Sequence, residues 1–421
     1  MGAMNGTDGI TVNGARLSAR LADLAEIGAI PGGGVCRLAL TDGDRAGRDK
    51  VVGWMRDLGL AVSTDAIGNV VGIRAGTEDG PPVMAGSHID TVATGGRYDG
   101  NLGVLAGLEI IATLNDAGLK TRRPLAVAFF TNEEGARFQP DMLGSLVYVG
   151  GLSLDSALNT RAIDGARLGD ELMRIGYAGD APVGAPQVHA YLELHVEQGP
   201  VLEEEGIAIG AVEGVQGISW TEFVIEGQSN HAGTTPMRLR HDAGLVAGQI
   251  AVFARRLAEE AGGDQVATVG ALTLSPNLVN VVAGRAVMTV DLRNTDEAVL
   301  QQVEGRLFAF ARDAAAAEGV RLSRRTLARF EPVAFDRHLV GRVAGIARDL
   351  GLSVRTLPSG AGHDAQMLAR ICPAAMIFVP SVKGISHNVQ EFTAPADITA
   401  GANVLLRLML ELADPRPDSG I

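Results

Sequence analysis

Val83-Met-Ala-Gly-Ser-His-Ile-Asp90 is a short apolar run that closes on a polar cluster, and Leu125-Ala-Val-Ala-Phe-Phe-Thr-Asn-Glu-Glu134 repeats that design. Short apolar runs bounded by polar and glycine residues predict buried strands, here Val83 to Ser87 and Leu125 to Thr131, with a further one at Asn69 to Arg74. Between Ser87 and Leu125, the stretch Leu102 to Leu119 has helical periodicity. Strand, helix, strand implies α/β layering. In open α/β sheets ligands gather beyond the carboxyl ends of strands, and the clusters GSHID, TNEE and ELHVEQG all stand at or near such an end. That placement favours chemistry over packing.

Upstream, Arg16 to Leu60 reads as mostly helical, broken by a turn at Pro31 to Gly34, and carries no catalytic pattern. Downstream, the grammar changes near Val215. Ile218 to Glu226 reads as a strand, His241 to Ala261 as a helix, Gln265 to Leu274 and Arg285 to Arg293 as strands, Asp296 to Glu318 as a helix and Val320 to Arg329 as a strand. This βαββαβ order predicts a ferredoxin-like sandwich. After Phe335 the first pattern resumes, with a helix over Leu339 to Leu350, a strand over Ala375 to Val379 and a helix over Ile398 to Leu412. The expectation is an α/β fold of two domains, one discontinuous (residues 1–215 and 331–421) and one inserted into it (residues 216–330). A polar tail runs from Asp414 to Ile421, and no internal repeat is visible.

Length and composition exclude several function classes. A chain of 421 residues exceeds one compact core, and 46% hydrophobic with 20% charged residues is the balance of a soluble globular protein. A formal net charge of −13 argues against nucleic acid and anionic membrane as partners, since both need a basic face. The two cysteines, Cys36 and Cys372, have no CxxC spacing; they support neither a disulfide framework nor a thiolate zinc site, and fit a reducing cytoplasm. The opening MGAMNGTDGITVNG lacks a basic segment followed by an apolar core, and no apolar run of about 18 residues follows, so an unexported, cytoplasmic protein is expected.

Five potential metal ligands, His88, Asp99, Glu134, His195 and His387, occupy polar niches within or beside apolar runs. Two metal ions about 3.5–4 Å apart need such an inventory, with one carboxylate to bridge them and His or Glu to complete each shell. His88 and Asp90, two residues apart on an extended chain, project to the same side, where the Asp90 carboxylate could fix the imidazole tautomer. Asp99, in Gly95-Gly-Arg-Tyr-Asp-Gly-Asn101, precedes a helix and serves either as a turn residue or as a bridging carboxylate. Adjacent Glu133 and Glu134 repel each other unless a cation divides them. One can then ligate while the other takes a proton from water and returns it to a leaving amine. In Tyr191-Leu-Glu-Leu-His-Val-Glu-Gln198, alternation puts Tyr191, Glu193, His195 and Glu197 on one face, either wet or turned to a site. His387, in Gly384-Ile-Ser-His-Asn388, follows the run AMIFVP and offers a ligand from the far end of the chain.

The inserted region carries its own polar set. His231 lies in Gly227-Gln-Ser-Asn-His-Ala-Gly-Thr-Thr-Pro236, Asn280 in Asn277-Leu-Val-Asn-Val-Val282, and Arg293 in Val290-Asp-Leu-Arg-Asn294. An imidazole can donate to a developing oxyanion and an arginine fork can grip a carboxylate. Loop capping and a surface ion pair are the plain alternatives. Ser359-Gly-Ala-Gly-His-Asp364 is a glycine-flanked turn opening a helix at Ala365, suited to receive a carboxylate on main-chain N–H groups or simply to cap the helix. His189, His241 and His338 stand in no such context.

In this order, these residues resemble the aminoacylase and carboxypeptidase clan of dinuclear-metal amidohydrolases. The motifs GSHIDTV, TNEEGARF, ELHVEQGP, NHAGTTPM, SGAGHDA and PSVKGISHN resemble, over nearly the whole chain, its branch of N-carbamoyl-L-amino-acid amidohydrolases, allantoate amidohydrolases and β-ureidopropionases. His195 stands where peptidases of the clan tend to carry a carboxylate. The resemblance implies a mixed-sheet α/β/α catalytic domain whose ferredoxin-like insert serves as a dimerisation or lid domain. It implies two divalent ions per subunit, zinc first, with manganese, cobalt or nickel also suited: His88, Asp99 and His195 around one, Asp99, Glu134 and His387 around the other. It further implies Glu133 as general base, Asp90 as the residue that orients His88, and Gln198 with the Gly360, Gly362 and His363 loop near the substrate. A homodimer is implied as well, with His231, Asn280 and Arg293 reaching the neighbouring subunit's site. One departure is Val389, where the family often has proline two residues after the final histidine.

The expected reaction is hydrolysis of the carbamoyl C–N bond of an N-carbamoyl-L-amino acid, a small substrate with a free carboxylate, to amino acid, ammonia and carbon dioxide. Glu133 would move the proton and His231 would support the oxyanion. Allantoate and β-ureidopropionate are rival substrates, and acyl-amino-acid or peptide cleavage is a more distant reading. A metal-loaded scaffold that binds a small acid without turnover is the non-enzyme alternative, and the intact Glu133 argues against it.

Overall fold

The computed structural model of the chain describes residues 9–414; the first eight residues of the opening stretch and residues 415–421 of the polar tail lie outside them. The fold has two compact units, one made of the chain up to Glu213 and from Ala334 onward, the other of Gly214–Val333. Among the described residues no helix is long and apolar enough to cross a membrane.

The larger unit begins with helices Gly14–Ala25 and Asp42–Asp57, and its strands are β1 (Ala61–Thr64), β2 (Val70–Arg74), β3 (Val83–His88), β4 (Leu125–Phe130), β5 (Ala190–Val196) and β6 (Ile209–Val215). β3, β4 and β5 are buried along their whole length, so β3 and β4 read as nearly continuous apolar runs. The same burial settles the polar face of β5. Tyr191 and Glu193 are 0% exposed and His195 is 1% exposed, so this face is not wet.

The inserted unit comprises β7 (Gly217–Glu226), β8 (Asn230–His231), β9 (Val266–Ser275), β10 (Val281–Val282), β11 (Arg285–Asn294) and β12 (Arg321–Phe330), with helices Ala243–Ala261 and Glu297–Glu318. Its four long strands form an antiparallel sheet in the order β12-β7-β11-β9, which with the βαββαβ sequence is the ferredoxin-like arrangement. Phe223, Ile225, Met288 and Leu292 of the sheet pack with Val246, Ile250, Leu300 and Leu307 of the helices. Each helix starts at an aspartate. Asp242 accepts from Gly244 N and Leu245 N, and Asp296 from Val299 N, caps worth about 1 kcal/mol each. β8 and β10 form a separate two-stranded ribbon that pairs His231 with Val281.

The chain returns to the larger unit through β13 (Val333–Ala334), β14 (Val354–Ser359) and β15 (Ala374–Val379). The nine-stranded mixed sheet has the order β1-β2-β4-β3-β5-β15-β6-β13, with β14 paired to β6. β1, β6 and β14 are strands the sequence pattern does not announce: β1 is four residues long, β6 is broken by glycines, and β14 is only partly buried. The adjacent strands β4, β3, β5 and β15 run parallel, so their carboxyl ends share one edge of the sheet. His88 ends β3, Thr131 follows β4 and His195 is next to last in β5. Buried Arg37 clamps this edge from behind, donating to Ile89 O (2.8 Å), Ile27 O (2.8 Å) and Asn101 Oδ1 (2.7 Å). It thereby joins the residue after His88 to the start of the helix Asn101–Asp116, which follows Asp99.

Candidate active site

Asp99 joins two sets of donor atoms. Its Oδ1 lies 3.1 Å from His195 Nε2 and 3.6 Å from His88 Nε2; its Oδ2 lies 3.4 Å from His387 Nε2, which is 3.1 Å from Glu134 Oε2. Ligand atoms held about 2.0–2.1 Å from a tetrahedral ion stand roughly 3.3 Å apart. Each set therefore has the spacing of a metal shell. Glu133 stands beside them, with Oε2 3.4 Å from His88 Nε2. The approach is tight: a Cβ at position 100, where φ is +65°, would sit within 2.4 Å of the His88 ring, so Gly100 alone fits between Asp99 and the helix.

Both strand-end histidines are oriented for ligation. His88 Nδ1 is 2.9 Å from Asp90 O and His195 Nδ1 is 2.8 Å from Val196 O, so each ring donates from Nδ1 and presents the Nε2 lone pair to the centre. His195 Nε2 also accepts from Gly100 N at 3.2 Å. The partner of His88 is the main-chain oxygen of Asp90 rather than its carboxylate, which corrects the expectation from alternation. β3 ends at His88, so the two-residue period no longer holds beyond it. The Asp90 carboxylate instead accepts from Glu133 N (3.3 Å) and Glu134 N (3.4 Å), fixing the turn that carries the paired glutamates.

The electrostatics fit the same donor set. Burial opposes protonation of His88 and His195, yet Glu133 and Asp99 hold His88 well above the usual imidazole range, and Asp99 raises His195. Burial would raise Asp99, but hydrogen bonding to His195, His387 and His88 holds it well below the usual carboxylate range. Hydrogen bonds to Asp99 and Glu134 bring His387 up to about 10. Burial, opposed by His88 and reinforced by Asp364 and Glu134, pushes the Glu133 carboxyl well above its ordinary value. The carboxylates thus favour positive charge at this centre, a demand that a divalent ion held by the same residues would meet.

A third cluster, Glu193, His195 and His363, shares His195 with the first. Glu193 is already satisfied by Ser87 Oγ at 2.6 Å and by Ala365 N at 2.9 Å. One N–H in the first turn of the short helix Asp364–Leu368, that of Ala365, is thus taken by a carboxylate of the protein itself, where the sequence suggests room for a substrate carboxylate. His363 is buried, with its ring edge against His195 (centroids 4.6 Å apart) and Nε2 2.8 Å from Ser359 Oγ. Gly360 lies exposed on that loop and Gly362 is half-buried against Met142. Gln198 donates Nε2 to Asp99 Oδ2 at 2.8 Å, while its Oε1 is buried without a hydrogen-bond partner.

In the inserted unit, His231 and Asn280 are exposed. His231 Nδ1 accepts from Gly233 N (3.0 Å) and Thr234 N (3.2 Å), which puts the ring proton on Nε2 and leaves that nitrogen a donor. Asn280 is fixed through its main-chain oxygen, which accepts from Ala232 N. Arg293 forks onto Asp291, at 2.9 Å from Nη2 to Oδ2, and lies over Trp220 with its guanidinium carbon 5.8 Å from the ring centre. The ion-pair alternative is therefore present beside any ligand role.

Sequence reasoning passes over Ser386 and Glu391. Glu391 is buried and binds the Asp99 turn and Ser386 together, contacts described below. Glu391 lies only four residues after His387, but its partners lie 292 and 293 positions away, so only a placed His387 loop would have pointed to it. Val389, the departure from the expected proline, packs over the glycines at 32 and 34, and His387 adopts φ +51°.

Comparison with known proteins places this geometry. Residues 84–411 match Peptidase family M20/M25/M40. The chain is 44% identical over 404 residues to an N-carbamoyl-L-amino-acid amidohydrolase of Rhizobium meliloti, covering 96% of this chain and 97% of that protein. It is 34% identical over 393 residues to an allantoate amidohydrolase of Bacillus subtilis, covering 93% and 95%. Among solved structures, an amidase of the hydantoinase/carbamoylase family from Burkholderia multivorans superposes with TM-score 0.94 at 47% identity, covering 96% of this chain and 98% of that one.

Proposed function

The chain belongs to peptidase family M20/M25/M40, and from that premise we propose that this hydrolase cleaves the carbamoyl C–N bond of N-carbamoyl-L-amino acids. The observation that carries the reading is Asp99 between two donor sets with Glu133 alongside. Bound there, two divalent ions would supply an acidified water and a Lewis acid for the carbonyl. We assign His88, Asp99 and His195 to one ion and Asp99, Glu134 and His387 to the other, zinc first, with manganese, cobalt or nickel suited to the same ligands.

Glu133 takes the proton of the attacking water and hands it to the departing nitrogen, a transfer suited to a carboxyl that burial pushes above its ordinary value. His231 donates from Nε2 to the oxygen that gains charge at the carbamoyl carbon. Gln198 Oε1, buried and without a partner, accepts from a ureido N–H. Arg293 and Asn280 hold the substrate carboxylate, and Gly360 and Gly362 line its approach. We assign this second group to a homodimer in which the inserted unit of each subunit serves the centre of the other. Exposed His231 and Asn280, and the half-open Val266 and Leu272 on edge strand β9, support that assignment. Free thiols at Cys36 and Cys372 suit the reducing cytoplasm in which we place the enzyme.

Ammonia release tests the reading. Protein stripped by a chelator and reloaded with each metal in turn is given N-carbamoyl-L-amino acids, allantoate and β-ureidopropionate. The expected result is chelator-reversible turnover with the highest kcat/KM on an N-carbamoyl-L-amino acid. A higher value on allantoate transfers the protein to the rival reaction, and reloaded protein that releases no ammonia from any substrate contradicts catalysis altogether.

A further inference from the structure

We propose that Glu391 is a positioning residue that holds the Asp99 turn and the His387 loop in one register and thereby sets the second shell, Asp99, Glu134 and His387. The proposal rests on the two-ion reading above. Glu391 fills a buried slot facing Gly96, where a Cβ would come within 2.1 Å of its Oε1. Its Oε1 accepts from Tyr98 N at 2.9 Å and from Asp99 N at 3.1 Å. Its Oε2 is 3.2 Å from Ser386 Oγ, and that hydroxyl is also 3.0 Å from Asp99 Oδ2. One carboxylate thus grips the main chain of the bridging aspartate and the residue next to the last histidine.

The two shells differ in how much they need this grip. His88 and His195 stand on β3 and β5, with Nδ1 fixed by Asp90 O and Val196 O, and these contacts owe nothing to Glu391. His387 stands on a loop at φ +51° with its side chain 50% exposed. A loop histidine keeps its place only through what the loop itself holds, and the polar tie from that loop to Asp99 runs through Ser386 and Glu391. The edge-on contact of Tyr98 with Phe392 adds an apolar tie beside it, with centroids 6.1 Å apart, and touches no ligand.

Removing the side chain leaves two buried N–H groups without an acceptor and releases the loop. A glutamine keeps the geometry. Its Oε1 still accepts from Tyr98 N and Asp99 N, and its Nε2 can donate to Ser386 Oγ, directing the single hydroxyl proton to Asp99. The role assigned is one of shape rather than charge, so Glu391→Gln should substitute for glutamate where Glu391→Ala cannot.

The test is Co²⁺ titration of metal-stripped full-length protein, followed by visible absorption and equilibrium dialysis. Wild type is expected to take up two equivalents. Glu391→Ala is expected to hold the second equivalent ~10–100-fold more weakly, and the first within about threefold of wild type, the usual scale for residues that orient ligands. Glu391→Gln is expected to hold both within about threefold. A second equivalent as tight in Glu391→Ala as in wild type overturns the proposal, as does equal weakening of both or a glutamine variant as weak as alanine. Should the alanine variant not fold, Ser386→Ala breaks the same tie without emptying the slot: a weakened second equivalent supports the proposal and unchanged binding overturns it. Wild type that binds fewer than two equivalents refutes the two-ion reading itself, whatever the variants do.

Discussion

The polar residues of the larger unit and those of the inserted unit differ in almost every physical respect. His88, Asp99, Glu133 and His195 are buried, and contacts of 3.1–3.6 Å link His195 to Asp99, Asp99 to His88 and His88 to Glu133. His231 is exposed on a two-stranded ribbon and Asn280 in the turn that enters it, and Arg293 pairs with a neighbour on its own strand. Charged groups gathered out of water without a cation are costly, so the first arrangement announces its ligand. The second costs little without a ligand and announces nothing. In the proposed reaction the buried set would perform the chemistry and hold the ions while the exposed set would complete recognition, and substitutions should separate the two.

The largest effect is expected in the buried set. Glu133→Gln should lower kcat by ~10²–10⁴-fold with both metal equivalents retained, as measured by steady-state ammonia release and metal analysis on the same sample. Loss of metal together with activity would turn Glu133 into a ligand and blur the division. His231→Ala should lower kcat by ~10²–10³-fold through loss of the oxyanion donor, again with metal content unchanged. A change confined to KM would move His231 from the reacting oxygen to the substrate's periphery. Arg293→Ala should raise KM by ~10–100-fold for substrates bearing a carboxylate and change kcat much less, the cost of one charge-assisted pairing. Unchanged kinetics would remove Arg293 from the site and leave it a structural residue, paired with Asp291 and lying over Trp220.

The same contrast explains what the sequence discloses. The long elements of the inserted unit are legible because strands such as β11 alternate along their length and both helices carry aspartate caps, Asp242 and Asp296. In the larger unit the fully buried strands β3 and β4 are equally plain, whereas β6 and β14 are not, since glycine and polar residues interrupt them and their pairing is settled by distant neighbours. His88, Glu134 and His195 stand out as polar residues at or beside apolar runs, whereas Asp99, in a glycine-rich turn, gains meaning only from the others. Arg37, Glu193 and Glu391 do not stand out, because each acts on a partner far away in the chain: Arg37 on Asn101, Glu193 on Ala365 and Glu391 on Asp99. Asp90 shows the limit of local reasoning from the other side. Its residue type is read from the motif, but which of its oxygens meets His88 depends on where β3 stops.

The central claim is that one carboxylate, Asp99, serves both ions, and the most direct measurement is metal stoichiometry by equilibrium dialysis for wild type, Asp99→Ala and His195→Ala. Two equivalents are predicted for wild type, close to none for Asp99→Ala because both shells lose a ligand at once, and one for His195→Ala, whose ring belongs to the first shell alone. An Asp99→Ala protein that still holds one or two equivalents tightly would contradict the bridge, and with it the account of the site.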